Sequence, residues 1–427
     1  MQGRSFVKIK LFQFVLSDFT EKGAFLLFPK DKGFRLITLQ EAMSVFGISR
    51  ATIDRWRRSK QLPTIKIGKE VFFDPDELQM WIKSHSVCGA AADRPESAPA
   101  ESLTVSIGYQ SGTAHMWSPL IMKELGFFEE ELRKQFPHRP IKVLWHNAEN
   151  GLELVEGLIS GLIQIASLGD YPIRICSSLG KLLPNFQPVL LAFDGKTRNG
   201  KGISVVVPSN SIIRKPDDLA NVTISTVANS SAGMRLNRLL TSIGAAEQEH
   251  PNVIHRSMSE SLTDIVDRRV GASAMWEPYL SLLRHWGAGT VLFEEGMYED
   301  YLTGLVAGER WAANNEAIVI AYLKAHVRVH QLMRSEPASA AKRVQASTGI
   351  PQTVAWRVLS NVRWDAAVYP RDLNTLQRLE ERFPGMAPEL YPIRAKTDYL
   401  NIALEEMGLP SIEASPQGNE WPREQMY

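Results

Sequence analysis

The sequence predicts an α/β protein built from two folded units, a small one at the N-terminal end and a large one behind it. The chain of 427 residues is too long for one ordinary domain. Its hydrophobic content of 44% and charged content of 22% are those of globular proteins, so large cores can form. Strand-like and helix-like segments alternate in the second part of the chain, which favours a largely parallel sheet.

Between Val87 and Leu103 the chain carries no large apolar side chain, so this stretch cannot bury enough surface to offset its ordering entropy. We therefore predict a flexible linker over 87–102. It separates a small domain at 36–86 from a large one at 103–405, with a tail at 406–427. The extension at 1–35 holds apolar pieces such as Ala24–Phe28, which fit either a hairpin added to the small domain or a partner-facing strand.

The chain is expected to reside in the cytoplasm, without membrane insertion. Cys88 and Cys176 are its only cysteines, too few for a disulfide framework. The first apolar stretch is interrupted by Lys8 and Lys10, unlike a secretory signal. No run approaches the roughly 18 apolar residues that span a bilayer.

The small domain has the pattern of a helix-turn-helix. Ala42, Val45 and Phe46 recur at helical spacing, Gly47 suits a helix end, and Ser49 suits the start of a second helix. Within that second helix Ile53 and Trp56 are expected to pack inward. Two strand-like runs around Gly68-Lys69 predict a hairpin wing, and the segment from Asp74 to Ile82 predicts a further helix.

Basic residues concentrate on the second helix and the wing. The segment from Ser49 to Lys69 contains seven lysines and arginines and a single acidic residue, Asp54. Its local net charge is therefore +6, within a chain of net charge +1. A solvated helix face would explain such a run, but its place on a helix-turn-helix favours DNA. The predicted DNA contacts are Arg50, Thr52, Arg55, Arg57, Lys66 and Lys69.

This segment resembles the excisionase/MerR-type winged helix-turn-helix family over about 50 residues. The matches are Thr38–Ala42, Phe46–Ile53, Leu62-Pro63 and the Ile65–Asp74 hairpin. The resemblance implies that the second helix, with Arg50, Thr52 and Arg55, enters the major groove. It also implies that Lys66 and Lys69 of the wing contact phosphates.

In the large domain Thr104–Tyr109, Ile141–Trp145 and Ile163–Leu168 read as strands, and Pro119–Phe136 and Leu152–Leu162 as helices. Ligands of such sheets bind at the carboxyl ends of strands. Loops that follow strands carry the candidate ligand-binding residues: Ser111, Gly112, Gly169, Asp170, Tyr171, Asn229, Ser230, Ser231, Trp276 and Glu277. Each loop alone fits an ordinary turn, but the helix start after Ser230 also offers free N–H groups to an anion.

The large domain also resembles the type II periplasmic substrate-binding proteins of nitrate, sulfonate and taurine importers. The matches include Ile107–Gln110, Lys123–Phe128, Gly169–Pro172, Lys215–Leu219 and Met275–Tyr279. The resemblance implies a two-lobed fold, with lobe 1 at 103–195 and 300–400 and lobe 2 at 196–299. The candidate loops would then line the cleft between the lobes. The forms of the Gly169 and Trp276 loops favour the alkanesulfonate-binding branch of the family.

The sequence gives little support to catalysis or to a cofactor. It has no phosphate-loop motif and no Gly-x-Ser-x-Gly elbow. His326 and His330 form the one i, i+4 pair of histidines, and without a nearby carboxylate we expect exposed or capping roles rather than a metal site.

Together these features predict a DNA-binding regulator whose sensor domain binds a small anionic solute. Because a flexible linker would transmit little of the ligand-induced change to the DNA-binding domain, we expect coupling through a homodimer. The alternative is the substrate-binding protein of an importer with a vestigial N-terminal domain. An enzyme on this scaffold is a third reading, which we expect to be wrong.

Overall fold

A computed structural model describes residues 36–46, 50–67, 70–85, 103–245, 252–381, 393–412, 420–423 and 425–427. The predicted extension at 1–35 and the whole of the predicted linker at 87–102 lie outside these ranges. No helix within them is long and apolar enough to cross a membrane.

The small domain is a winged helix-turn-helix. Its elements are β1 (Ile37–Thr38), α1 (Leu39–Phe46), α2 (Arg50–Ser59), β2 (Ile65–Ile67), β3 (Glu70–Phe73) and α3 (Pro75–His85). Thr38 and Glu41 cap α1 reciprocally, since the Thr38 hydroxyl accepts from the Glu41 N–H and the Glu41 carboxylate accepts from the Thr38 N–H. Ile53 and Trp56 are buried, as their spacing predicted.

The large domain has two lobes joined by two crossings of the chain. The first part of lobe 1 contains β4 (Leu103–Tyr109), α4 (Trp117–Leu125), α5 (Phe127–Gln135), β5 (Ile141–Asn147), α6 (Gly151–Ser160), β6 (Ile165–Gly169), α7 (Asp170–Leu182) and β7 (Pro188–Thr197). Lobe 2 contains β8 (Ile203–Pro208), β9 (Ile224–Thr226), α8 (Ser231–Ser242), β10 (Val253–His255), α9 (Met258–Val266), β11 (Ala272–Trp276), α10 (Tyr279–His285) and β12 (Gly289–Val291).

The chain then returns to lobe 1. The returning elements are β13 (Tyr301–Gly308), α11 (Glu309–Asn314), α12 (Glu316–Ser335), α13 (Pro337–Thr348), α14 (Gln352–Asn361), β14 (Arg363–Trp364), α15 (Pro370–Glu381), β15 (Arg394–Ala395) and α16 (Asp398–Glu406). The end of the predicted tail packs back onto this lobe, where the Ala366 N–H donates to the Tyr427 oxygen at 2.7 Å.

Each lobe is built on a mixed sheet. The strand order is β14-β7-β13-β6-β4-β5 in lobe 1, with β15 beside β7, and β10-β9-β11-β8-β12 in lobe 2. β4 runs parallel to β5 and β6, whereas the returning β13 is antiparallel to both β6 and β7. The candidate loops follow β4, β6, β9 and β11, and therefore meet where the lobes face each other.

Two expectations from the sequence are corrected in lobe 1. The helix predicted over Pro119–Phe136 is two helices, because Gly126 ends α4 in the left-handed region with φ of 64°. His326 and His330 are fully buried rather than exposed, since α12 packs against α4, α5 and α16. Asp194 of β7 supplies the carboxylate that the local sequence lacks, with Oδ1 lying 3.2 Å from Nε2 of His330.

Candidate ligand cleft and DNA-binding surface

The cleft between the lobes is closed in this structure. The indole N–H of Trp276 in lobe 2 donates to the Gly112 carbonyl of lobe 1 at 2.9 Å. The Ala114 N–H of lobe 1 donates to the Glu277 carbonyl at 2.9 Å. The predicted loops after β4 and β11 therefore contact each other directly.

A buried ion pair closes the other side of the cleft. Asp170 begins α7 in lobe 1, and its carboxylate lies 2.8 Å from the Arg235 guanidinium on α8 of lobe 2; neither side chain is more than 1% exposed. Arg235 also donates to main-chain oxygens of Ser231, Met297 and Asp300. In this state the donor that meets the predicted ligand residue Asp170 is therefore an arginine of the same chain.

Four more predicted residues meet beside this pair. The Tyr171 N–H points at the Ser231 hydroxyl at 3.4 Å, and the Tyr171 hydroxyl donates to Asn229 at 3.4 Å. Gly169 allows this approach, since a Cβ there would lie 3.0 Å from the Ser231 oxygen. The loops after β6 and β9 thus form one wall of the closed cleft.

Three other predicted ligand residues make local hydrogen bonds in this structure. The Ser230 hydroxyl caps α8 by accepting from the Gly233 N–H at 3.0 Å. Ser111 hydrogen-bonds through its N–H and hydroxyl to Asn147 within lobe 1. The Glu277 carboxylate accepts from Ser281 at the start of α10. In the closed state these three side chains hydrogen-bond within their own lobes.

Two buried polar atoms near the cleft were not predicted from the sequence. The Thr113 hydroxyl and Nδ1 of His115 have no hydrogen-bond partner. Both residues are buried, since Thr113 is 2% exposed and His115 is fully buried. Burial, with Arg235 nearby, lowers the pKa of His115 to about 3, so its imidazole is neutral. Buried polar groups are nearly always satisfied in native proteins, so these two atoms can each accept a further polar partner.

The small domain shares a hydrophobic core with lobe 1. A small apolar cavity at their junction is lined from the winged domain by Ala42, Ile53, Trp56, Leu62, Phe73, Leu78, Trp81 and Ile82. Lobe 1 closes it with Leu152, Val155, Glu156 and Ile159 of α6 and Ile175 and Leu179 of α7. A domain of about 50 residues buries little surface alone. These helices complete its core.

Helix α7 connects this junction to the cleft. Asp170 at its first residue pairs across the lobes, and Ile175 and Leu179 contact the winged domain farther along the same helix. Its 13 residues span about 20 Å. Any rotation or shift of α7 during cleft opening therefore reaches the winged domain.

An ionisable group, Glu156, lies in this apolar junction. Burial, and secondarily the neighbouring Glu153, raises the pKa of Glu156 to about 8, while Lys60 of the winged domain opposes that shift. At the margin Asn185 of lobe 1 donates to Asp76 of α3 at 2.8 Å. The junction thus combines apolar packing with a carboxyl group that is mostly protonated at neutral pH.

The protein should lose stability as pH rises from about 6 to 8. Glu156 titrates near 8 when folded and near its ordinary 4.5 when unfolded, so the folded state holds the extra proton between these values. The free energy of unfolding should fall by about 1 kcal/mol per pH unit in that window. Urea unfolding at several pH values measures this slope. Glu156→Gln should flatten it, while Glu405→Gln, on an exposed glutamate, should leave it unchanged; equal slopes in all three proteins would contradict the assignment.

The outer face of the winged domain is basic. Arg50, Arg55, Arg58 and Lys66 are exposed. Arg57 is half-buried and pairs with Asp54 at 3.2 Å. The prediction that Thr52 contacts DNA is corrected, because Thr52 is buried, with 4% of its surface exposed. It lies one turn before Trp56 on the inward face of α2. Lys69 is outside the described residues.

Comparison with known proteins agrees with both parts of this architecture. Residues 36–86 match a family model described as a helix-turn-helix domain. No curated protein sequence matches the chain significantly.

Several solved structures share the fold of the large domain. The alkanesulfonate-binding protein SsuA from Xanthomonas axonopodis pv. citri, bound to MOPS, is 20% identical, with a TM-score of 0.55 over 69% of this chain and 98% of that one. The periplasmic aliphatic sulphonate binding protein SsuA from Escherichia coli is 21% identical, with a TM-score of 0.52 over 66% and 90%. The periplasmic nitrate-binding protein NrtA from Synechocystis PCC 6803 is 14% identical, with a TM-score of 0.54 over 74% and 93%.

Likenesses at these identities show the fold. The chain therefore joins a helix-turn-helix domain at residues 36–86 to a domain with the two-lobed fold of periplasmic sulfonate- and nitrate-binding proteins.

Proposed function

We propose that this protein is a cytoplasmic transcriptional regulator whose DNA binding responds to a small anionic solute held between the two lobes. The observation that carries the proposal is the shared core of the winged domain and lobe 1, with α7 running from that core to the cleft. Cleft opening and closure give the two states, and a solute biases them by its differential affinity. This direct contact replaces dimerisation as the expected route of coupling, and we retain a homodimer as the DNA-bound form.

The basic face of the winged domain supports DNA as the partner. Arg55→Ala in the full chain should weaken binding to the cognate site by about 1–3 kcal/mol if Arg55 contacts a base. Lys66→Ala should weaken binding to all DNA sequences equally and make the affinity for DNA less dependent on salt concentration. Lys83→Ala, an exposed lysine on α3, is the matched control and should change neither. Fluorescence anisotropy against fragments near the protein's own gene measures this, and equal binding by wild type and Arg55→Ala would contradict the assignment.

The sensor ligand is proposed to be an oxyanion with an organic tail. The neighbours in fold are named for sulfonate and nitrate binding. In this chain the unpartnered Thr113 hydroxyl and the N-terminal end of α8 offer donors to an anion, and Trp276 offers an apolar wall. We propose binding without turnover, so the solute acts as a signal.

An aliphatic sulfonate should stabilise the protein by about 2.7 kcal/mol at a hundredfold excess over its dissociation constant. Thr113→Val keeps the shape of the side chain, removes the unpartnered hydroxyl and should reduce this shift without lowering the stability of the ligand-free protein. Thr290→Val, at an exposed strand position, is the control and should behave as wild type. Differential scanning fluorimetry gives the comparison. An unchanged shift in Thr113→Val would place the ligand elsewhere.

The importer reading makes different predictions. It requires export and a membrane partner, and it gives the winged domain no role. Fractionation of native cells should find the full chain in the cytoplasm and bound to chromosomal DNA. Recovery from the periplasm, cut near residue 100, would instead favour transport.

A further inference from the structure

We propose that Asp194, His326 and His330 bind a divalent transition-metal ion of the zinc class inside lobe 1. The three side chains come from β7 and α12 and are each fully buried. One ligand atom from each lies within 4.8 Å of those of the other two. This site lies outside the cleft and does not depend on the proposed regulatory function.

The far nitrogen of each ring is committed to a main-chain oxygen. Nε2 of His326 lies 2.8 Å from the Phe193 carbonyl, and Nδ1 of His330 lies 2.9 Å from the Tyr427 oxygen. Because these oxygens only accept, each ring must place its N–H there, and a neutral imidazole has one N–H. Nδ1 of His326 and Nε2 of His330 are therefore left with lone pairs. This is the arrangement by which metal-ligating histidines are usually oriented.

The lone pair of His330 then faces an oxygen. Its Nε2 is 3.2 Å from Oδ1 of Asp194, and an ionised carboxylate is also only an acceptor. Two acceptors at this distance repel each other unless a metal ion or a proton lies between them. Two tetrahedral ligands of zinc, at the usual bond lengths, lie about 3.3 Å apart. The observed spacing fits a shared ion.

Hydroxyl groups complete the surroundings. The Ser167 hydroxyl donates to Oδ2 of Asp194 at 3.1 Å and so fixes the carboxylate. Without an ion the Ser118 hydroxyl donates to Nδ1 of His326 at 3.2 Å, and with an ion bound at Nδ1 the hydroxyl oxygen would be a further neighbour of that ion. Since all three ligands are fully buried, the ion has no open position for a substrate. Its role would be structural, tying β7 to α12.

The competing explanation is a proton shared between Asp194 and His330. Placing a charged imidazolium in this fully buried position is disfavoured by desolvation, but a protonated carboxyl group would satisfy the same contact. Metal content distinguishes the two, because a shared proton requires no ion.

The test uses the full chain, purified through an affinity tag without histidines. Inductively coupled plasma mass spectrometry should find about one zinc-class ion per chain. A chelator at neutral pH should lower Tm, and added zinc should restore it. Protein that contains no metal as purified, and that neither binds zinc nor changes Tm when zinc is added, would overturn the proposal in favour of the shared proton.

Variants localise the ion. Ser167→Ala removes only the hydroxyl that holds Asp194 and should weaken zinc affinity about 10–100-fold. Asp194→Asn should abolish binding, whereas His138→Gln, on an exposed histidine, should retain it. Zinc affinity that is the same in Ser167→Ala and wild type would place the ion elsewhere. The metal content of the wild type decides the question even if Asp194→Asn does not fold.

Discussion

Asp170→Asn is expected to destabilise the protein by about 3–5 kcal/mol, because it leaves the buried Arg235 guanidinium without its counter-charge. Urea unfolding measures the loss. Asp170→Asn/Arg235→Gln should recover part of it, since the uncompensated charge is then gone. The control is Glu294→Gln, which breaks an exposed pair with Arg284 and should cost about 1 kcal/mol or less.

The same substitution should also open the cleft. The pair joins the first residue of α7 to α8 across the lobes, so its loss favours states in which the loops separate. Trp276 reports this opening, because its indole N–H donates across the cleft to Gly112 in this structure and loses that partner when the lobes separate. A red-shifted tryptophan emission and a larger radius of gyration in solution scattering are expected. An Asp170→Asn protein that is as stable and as compact as Glu294→Gln would show that the pair does not hold the lobes together.

Much of the small domain was predictable because its determinants are local. The spacing of Ile53 and Trp56 defines the inner face of α2, and the sequence pattern around Gly68 predicts the wing. Thr52 was wrongly assigned to the DNA-contacting face, because the basic residues around it favoured an exposed position. Its spacing of one turn from the buried Trp56 places it on the inner face of α2. In lobe 1 the helix break at Gly126 was equally local and was missed.

The contacts that matter most for the site join residues far apart in the chain. Arg235 is 65 residues from Asp170, and His330 is 136 residues from Asp194. No local periodicity encodes such pairs, so the loops were found as candidates while their partners were not. Ser230 shows the opposite case, since the sequence indicates its local role and it caps its own helix, α8.

The junction between the winged domain and lobe 1 was also hidden. Ile175 and Leu179 have the spacing of an ordinary helix core face, and the sequence does not distinguish a face that packs within a lobe from one that packs against a neighbouring domain. The composition of the linker favoured independent domains. The structure shows instead that a short winged domain completes its core with α6 and α7.

Leu179→Ala should therefore uncouple the two domains. Leu179 is 3% exposed, and its truncation should cost about 2–5 kcal/mol of stability. Unlike an ordinary core substitution, it should raise amide hydrogen exchange in α3 of the winged domain while that of α12 is unchanged. It should also remove the effect of the solute on DNA affinity, for which allosteric coupling of about 1–3 kcal/mol is typical.

Leu400→Ala is the matched control, because Leu400 is fully buried in α16, which packs against α12 on lobe 1. It should cost similar stability but leave α3 protected and the DNA response to solute intact. This comparison separates loss of coupling from loss of stability, since both variants remove the same side-chain atoms from a core. If Leu179→Ala and Leu400→Ala change the DNA response equally, the signal does not pass through α7, and coupling through a dimer interface becomes the better explanation.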